Sequence, residues 1–155
     1  GELSLSLRPD RVDALEGGER LLIDYKTSAP ARSKWLGDRP EEPQLPLYTL
    51  MDPEIKSIAF AALSDDMQFV SLGSGHGLNQ SSEQPLEKQT RGEVTSWEAM
   101  TAHWRTTLTA IADSIAMGTA SVDPSPRACD YCDLHSVCRI GQRAQPTAVT
   151  EGVAE

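Results

Sequence analysis

Positive charge is what this sequence is short of. Its 14 Lys and Arg stand against 23 Asp and Glu, a formal net charge of −9. That balance excludes a protein that coats nucleic acid by overall charge, so any contact with DNA or RNA must be local. No apolar run approaches the ~18–20 residues needed to span a bilayer. No secretory signal is visible, so the expected location is cytoplasmic. Cysteine is scarce and odd in number, three in all, which argues against a disulfide framework. No internal repeat is present. An initiator Met is missing too: Gly1-Glu2-Leu3 reads as the start of a fragment of a longer parent.

What remains is 155 residues, enough to bury one core. Leu3, Leu5 and Leu7 alternate with Ser4, Ser6 and Arg8, so residues 3–15 read as a first strand interrupted at Pro9. Glu16-Gly17-Gly18-Glu19 reads as a tight turn. Residues 20–25 read as a second strand whose continuous Leu21-Leu22-Ile23 run places it centrally. A polar loop follows over 27–43. Residues 41–51 read as a helix whose first turn is favoured by Glu41, Glu42 and Pro43, with Pro46 early in it. Residues 55–63 and 67–72 read as two more strands, turned by Ser64-Asp65-Asp66. Residues 73–94 carry no apolar periodicity and read as a mobile loop.

A long helix is expected next, capped by a Thr95/Glu98 box and ended at Gly118. Trp97, Met100, Trp104, Leu108, Ile111 and Ile115 form its buried stripe. His76 and His103 are expected to face solvent. Residues 119–128 read as a Pro-rich connector, and 142–155 as a small, polar, disordered tail. The order β-β-α-β-β-α implies an α/β or α+β domain on a mixed sheet.

Chemistry concentrates at Leu22-Ile23-Asp24-Tyr25-Lys26-Thr27-Ser28. A strand alternates its faces, so Asp24 and Lys26 point the same way. Asp10 lies fourteen residues upstream across the glycine turn. Two carboxylates on neighbouring strands, with an amine beside them, suit a hard divalent cation such as Mg²⁺. The main-chain carbonyl of Tyr25 offers a third oxygen. Lys26 would orient the attacking water or balance phosphate charge. Asp13 is the alternative to Asp10, although in a regular strand it faces away. Arg8 and Arg11 are either solvated strand charges or phosphate contacts.

Asp10-Arg11-Val12-Asp13, then Asp24-Tyr25-Lys26-Thr27-Ser28, then Gln44-Leu45-Pro46-Leu47-Tyr48, resembles the RecB-like branch of the PD-(D/E)xK nuclease superfamily. The resemblance implies a restriction-endonuclease-like core, a mixed central sheet flanked by helices, here truncated at its N-terminus and lacking the family's upstream helix. It implies metal binding by Asp10 and Asp24, catalysis by Lys26, and a Gln44/Tyr48 helical face that lines the site and holds DNA. Gln44 and Tyr48 are four apart and so share one face; a buried polar pair is the alternative. Mg²⁺ or Mn²⁺ is the implied cation, and a helicase domain or subunit the implied partner besides DNA.

Cys129, Cys132 and Cys138 stand in a C-x₂-C-x₅-C spacing, a metal-ligand pattern. In the AddB-type relatives that the resemblance brings in, such a triplet joins a cysteine from before the core around a [4Fe–4S] cluster, a staple rather than a catalyst. The fourth ligand would then lie upstream of Gly1. Zn²⁺ held by these thiols with His135, or three unliganded thiols, are the alternatives. The expected organisation is a nuclease core over 1–128, a cysteine segment over 129–141 and a tail over 142–155. The expected activity is metal-dependent exonucleolytic hydrolysis of DNA within a larger repair or recombination protein. The alternatives are a catalytically inactive nuclease fold that binds DNA or protein, and a small zinc-binding interaction domain.

Overall fold

The computed structural model describes residues 3–15, 17–28, 30–63, 67–73, 85–125, 128–130 and 132–138. The chain divides into two compact units, Gly1–Met117 and Gly118–Glu155. The first holds a mixed four-stranded sheet in the order β1 (Arg11–Ala14), β2 (Arg20–Lys26), β3 (Ile55–Ala62) and β4 (Gln68–Gly73). β1 and β2 are antiparallel, β2 and β3 parallel, β3 and β4 antiparallel. Parallel neighbours need a crossover. Here it carries a 3₁₀ turn at Arg32–Trp35 and helix α1 at Gln44–Thr49. The expected α/β architecture is therefore present.

Alternation along the strands splits the core in two. Leu22, Ile58, Phe60 and Leu72 face α1 and the long helix α3 (Trp97–Ala116), where they meet Leu45, Tyr48, Met100 and Trp104. Leu21, Ile23, Ala59 and Ala61 form the opposite face. Trp35 stacks on Phe60 with ring centroids 4.4 Å apart. Trp97 and Trp104 are buried, and their indole N–H groups donate to the carbonyls of Ile55 (2.9 Å) and Trp35 (2.8 Å). Both are core residues tied to backbone, as a buried indole requires.

Several boundaries differ from expectation. The first strand covers only Arg11–Ala14. Residues 3–9 join no strand, and Leu3 and Leu5 are exposed, so their alternation marks no half-buried ladder. The helix expected over 41–51 spans Gln44–Thr49, with Pro43 as its cap and Pro46 at the third position, where the missing N–H is not needed. That leaves Glu41 and Glu42 outside the helix. Ser96, not Thr95, caps α3, accepting from the Ala99 N–H at 3.1 Å. The stripe of α3 also ends early: Ile111 and Ile115 are exposed.

Within the expected loop 73–94, Gly73 closes β4, and Leu86–Gln89 forms a short helix, α2. The Gln89 side-chain amide accepts from the Gly73 N–H (3.2 Å) and donates to its C=O (2.9 Å), imitating a neighbouring strand at the sheet edge. One docking amide and one buried apolar side chain, Leu86, are too few to show a periodicity. Gly118 does end α3, at φ +71°, where a Cβ would be strained. The Ser64-Asp65-Asp66 turn, His76 and the tail 142–155 lie outside the described residues. Among the described residues no helix is long and apolar enough to cross a membrane.

Candidate active site

The β1–β2 hairpin sets the geometry. Gly17 and Gly18 both take positive φ, and the Leu15 N–H donates to the Glu19 carbonyl at 2.8 Å. The register that follows pairs Arg11 with Ile23. One step further along the same ladder brings Asp10 beside Asp24. The Tyr25 N–H donates to Asp10 Oδ2 at 3.2 Å. In a strand the N–H and C=O of one residue point to the same side. The Tyr25 carbonyl is thus directed to the side where Asp10 stands.

Asp24 is 3% exposed, an unusual setting for a carboxylate. Its Oδ2 lies 3.0 Å from Lys26 Nζ, yet no hydrogen bond of acceptable geometry reaches that oxygen. Burial pushes the Asp24 carboxyl above its ordinary range, Lys26 pulls it back, and the nearby Asp10 carboxylate adds to the rise. For Lys26, burial works to lower the pKa, but Asp24 and Glu42 outweigh it and raise the ammonium above its usual value. Lys26 is therefore a fixed positive charge at neutral pH. Its Nζ also lies 5.5 Å from the Phe60 ring centroid.

Glu42 is the residue that sequence reasoning missed. Its Oε2 sits 3.3 Å from Lys26 Nζ. The adjacent Glu41 pairs with Lys34 instead. Read as helix-dipole acids, the two looked equivalent; the late helix start separates their roles. No local signal distinguishes them, because the partner of Glu42 is sixteen residues away and reached only through the crossover.

Gln44 and Tyr48 share one face of α1, as the spacing requires. Gln44 Nε2 donates to the Tyr48 hydroxyl (3.0 Å), which donates to the Arg8 carbonyl (3.1 Å). The pair thus ties α1 to the backbone two residues before Asp10. Asp13 sits on the other face and pairs with Arg11 at 2.7 Å, which lifts the Arg11 pKa further above its already high value. Arg11 also reaches the Tyr25 hydroxyl at 3.4 Å, so its partners are protein groups. His103, expected to face solvent, is partly buried and contacts the Gly37 carbonyl through Nε2 at 2.9 Å.

These groups suit a hard divalent cation. Asp10, Asp24 and the Tyr25 carbonyl are all oxygen donors, and a buried carboxylate held beside a second one is favoured by a cation. In the second unit, Cys129, Cys132 and Cys138 are free and partly buried. The Leu134 N–H approaches Cys132 Sγ at 3.4 Å. His135 Nε2 contacts the Cys129 carbonyl at 2.8 Å. Among the described residues no three His, Cys, Asp or Glu side chains gather as a metal-holding group, so the thiols as placed do not form a cluster site.

A family model described as the PD-(D/E)XK nuclease superfamily matches residues 1–139. No curated protein and no solved structure matches the chain. The mixed sheet with flanking helices is consistent with a restriction-endonuclease-like fold.

Proposed function

The chain belongs to the PD-(D/E)XK nuclease superfamily, and from that premise we propose that it is a divalent-metal-dependent deoxyribonuclease. The observation that carries this reading is the convergence of Asp10, fixed by the Tyr25 N–H, and the buried Asp24 carboxylate beside Lys26 at the C-terminal end of β2. Asp10, Asp24 and the Tyr25 carbonyl would hold Mg²⁺ or Mn²⁺. A bound cation would supply positive charge against the scissile phosphate and acidify the attacking water.

The chain's own residues do the rest. Lys26, held as an ammonium, donates hydrogen bonds to the phosphate and neutralises charge that grows as the bond breaks. Its place between the Asp24 and Glu42 carboxylates supports this charge-balancing role. The Gln44–Tyr48 pair fixes α1 against the Arg8 backbone and so keeps Asp10 in register.

The order of the three motifs, D-R-x-D, D-Y-K and Q-x-x-x-Y, supports the RecB-like, AddB-type branch. Within that branch we place the chain as an exonuclease module of a DNA repair or recombination protein, working in the cytoplasm on strands delivered by a helicase domain or subunit. The cysteine triplet enters on its spacing alone. In a longer parent, Cys129, Cys132 and Cys138 would join a fourth cysteine around [4Fe–4S], and no step of the reaction runs through them.

The test is cleavage of end-labelled DNA with Mg²⁺ or Mn²⁺. Lys26→Ala is expected to lower the rate by about 10²–10³-fold, the size of losing one donor to a developing charge. An unchanged rate would remove Lys26 from the reaction.

A further inference from the structure

We propose that Glu42 is a positioning residue for Lys26, holding the ammonium in place when Asp24 gives its oxygen to a cation. The inference rests on the metal-dependent nuclease reading above and extends it to a residue outside the D-Y-K and Q-x-x-x-Y motifs.

The geometry is one ammonium between two carboxylates, Asp24 Oδ2 at 3.0 Å and Glu42 Oε2 at 3.3 Å. The two acids differ in setting. The Asp24 side chain is 5% exposed and stands beside Asp10, while that of Glu42 is 32% exposed. A divalent cation on Asp24 would occupy the oxygen on which Lys26 leans, and would repel the ammonium as a like charge. A lysine stem is flexible, so without a second anion Lys26 would turn to water.

Glu42 supplies that anion from a separate element. Its backbone N–H donates to the Lys34 carbonyl at 3.1 Å, Pro40 before it is buried, and Pro43 after it caps α1. Leu45 and Tyr48 then anchor α1 in the core. Glu42 therefore stays where it is when the charge at Asp24 changes. Glu41, one residue earlier, is occupied by Lys34 and does not duplicate it.

The experiment compares the full 155-residue chain as wild type, Glu42→Gln, Glu42→Asp, Lys26→Ala and the Glu42→Gln/Lys26→Ala double variant. Calorimetric titration with Mg²⁺ and Mn²⁺ comes first. Wild type and Glu42→Gln are expected to bind within about threefold of each other, as they should when no cation ligand is lost. DNA cleavage comes second. Glu42→Gln should lower kcat by about tenfold or more with little change in KM, Glu42→Asp should recover part of it, and Glu42→Gln should add nothing once Lys26 is Ala.

Urea unfolding of the same four-way cycle at saturating Mg²⁺ reads the pair without any catalysis. A Glu42–Lys26 coupling of about threefold or more in the unfolding constant is expected, larger than without metal. Metal binding weakened tenfold or more in Glu42→Gln would make Glu42 a cation ligand and overturn the proposal. So would kinetic losses that multiply, or an absent coupling in urea. A wild-type chain that binds neither cation sinks the metal site itself, and this proposal with it.

Discussion

Asp24 shows the tension of the site in one side chain. Burial raises its folded pKa, so ionising it costs folding free energy. The sign follows. A raised acid contributes stability below its unfolded pKa, and that contribution is lost as pH rises through the folded value. At neutral pH, without metal, Asp24 is therefore a destabilising group. Asp24→Asn should raise metal-free stability at neutral pH, and with it the Tm, while removing cleavage. Added Mg²⁺ should raise the wild-type Tm and leave the variant unmoved. Thermal scans at neutral pH with and without Mg²⁺ check both. Asp24 and Lys26 were legible in the sequence because a two-residue period fixes their common face. Glu42 was not, because its partner is set by the tertiary crossover.

At the scale of elements, turns and registers carried the legible information. The Gly17-Gly18 pair announced the hairpin, and the hairpin register is what sets Asp10 beside Asp24. The leucine alternation at residues 3–7 misled, since alternation marks a strand only where a neighbour pairs with it. The start of α3 was off by one residue, because Thr95 and Ser96 are both good caps and only the backbone chooses. This choice is testable by chemical denaturation. Ser96→Ala should cost about 1 kcal/mol, the usual worth of a cap, whereas Thr95→Ala should change stability by less than about 0.5 kcal/mol. The α2 segment was hidden for another reason: one amide at Gln89 and one core side chain, Leu86, are too few to leave a pattern.

For the molecule as a whole, acidity and a nuclease site are compatible only if the contact with DNA is local. A net charge of −9 opposes a broad electrostatic grip. DNA affinity should then depend on the divalent cation and fall with a shallow salt slope, as from about two or three neutralised phosphates at roughly −0.7 each on single strands. Fluorescence anisotropy over 50–200 mM salt, with Mg²⁺ replaced by Ca²⁺ to prevent cleavage, gives that slope; a value steeper than about −5 would point to an extended basic surface instead. The central claim is that Asp10 and Asp24 share one divalent cation beside Lys26. Titration of Mn²⁺ into the whole chain, followed by the loss of the free-ion spin-resonance signal, tests it most directly. One strong site in wild type, weakened at least about tenfold by Asp10→Asn and by Asp24→Asn alike, is the predicted result. Equal Mn²⁺ affinity in wild type and both variants would contradict it.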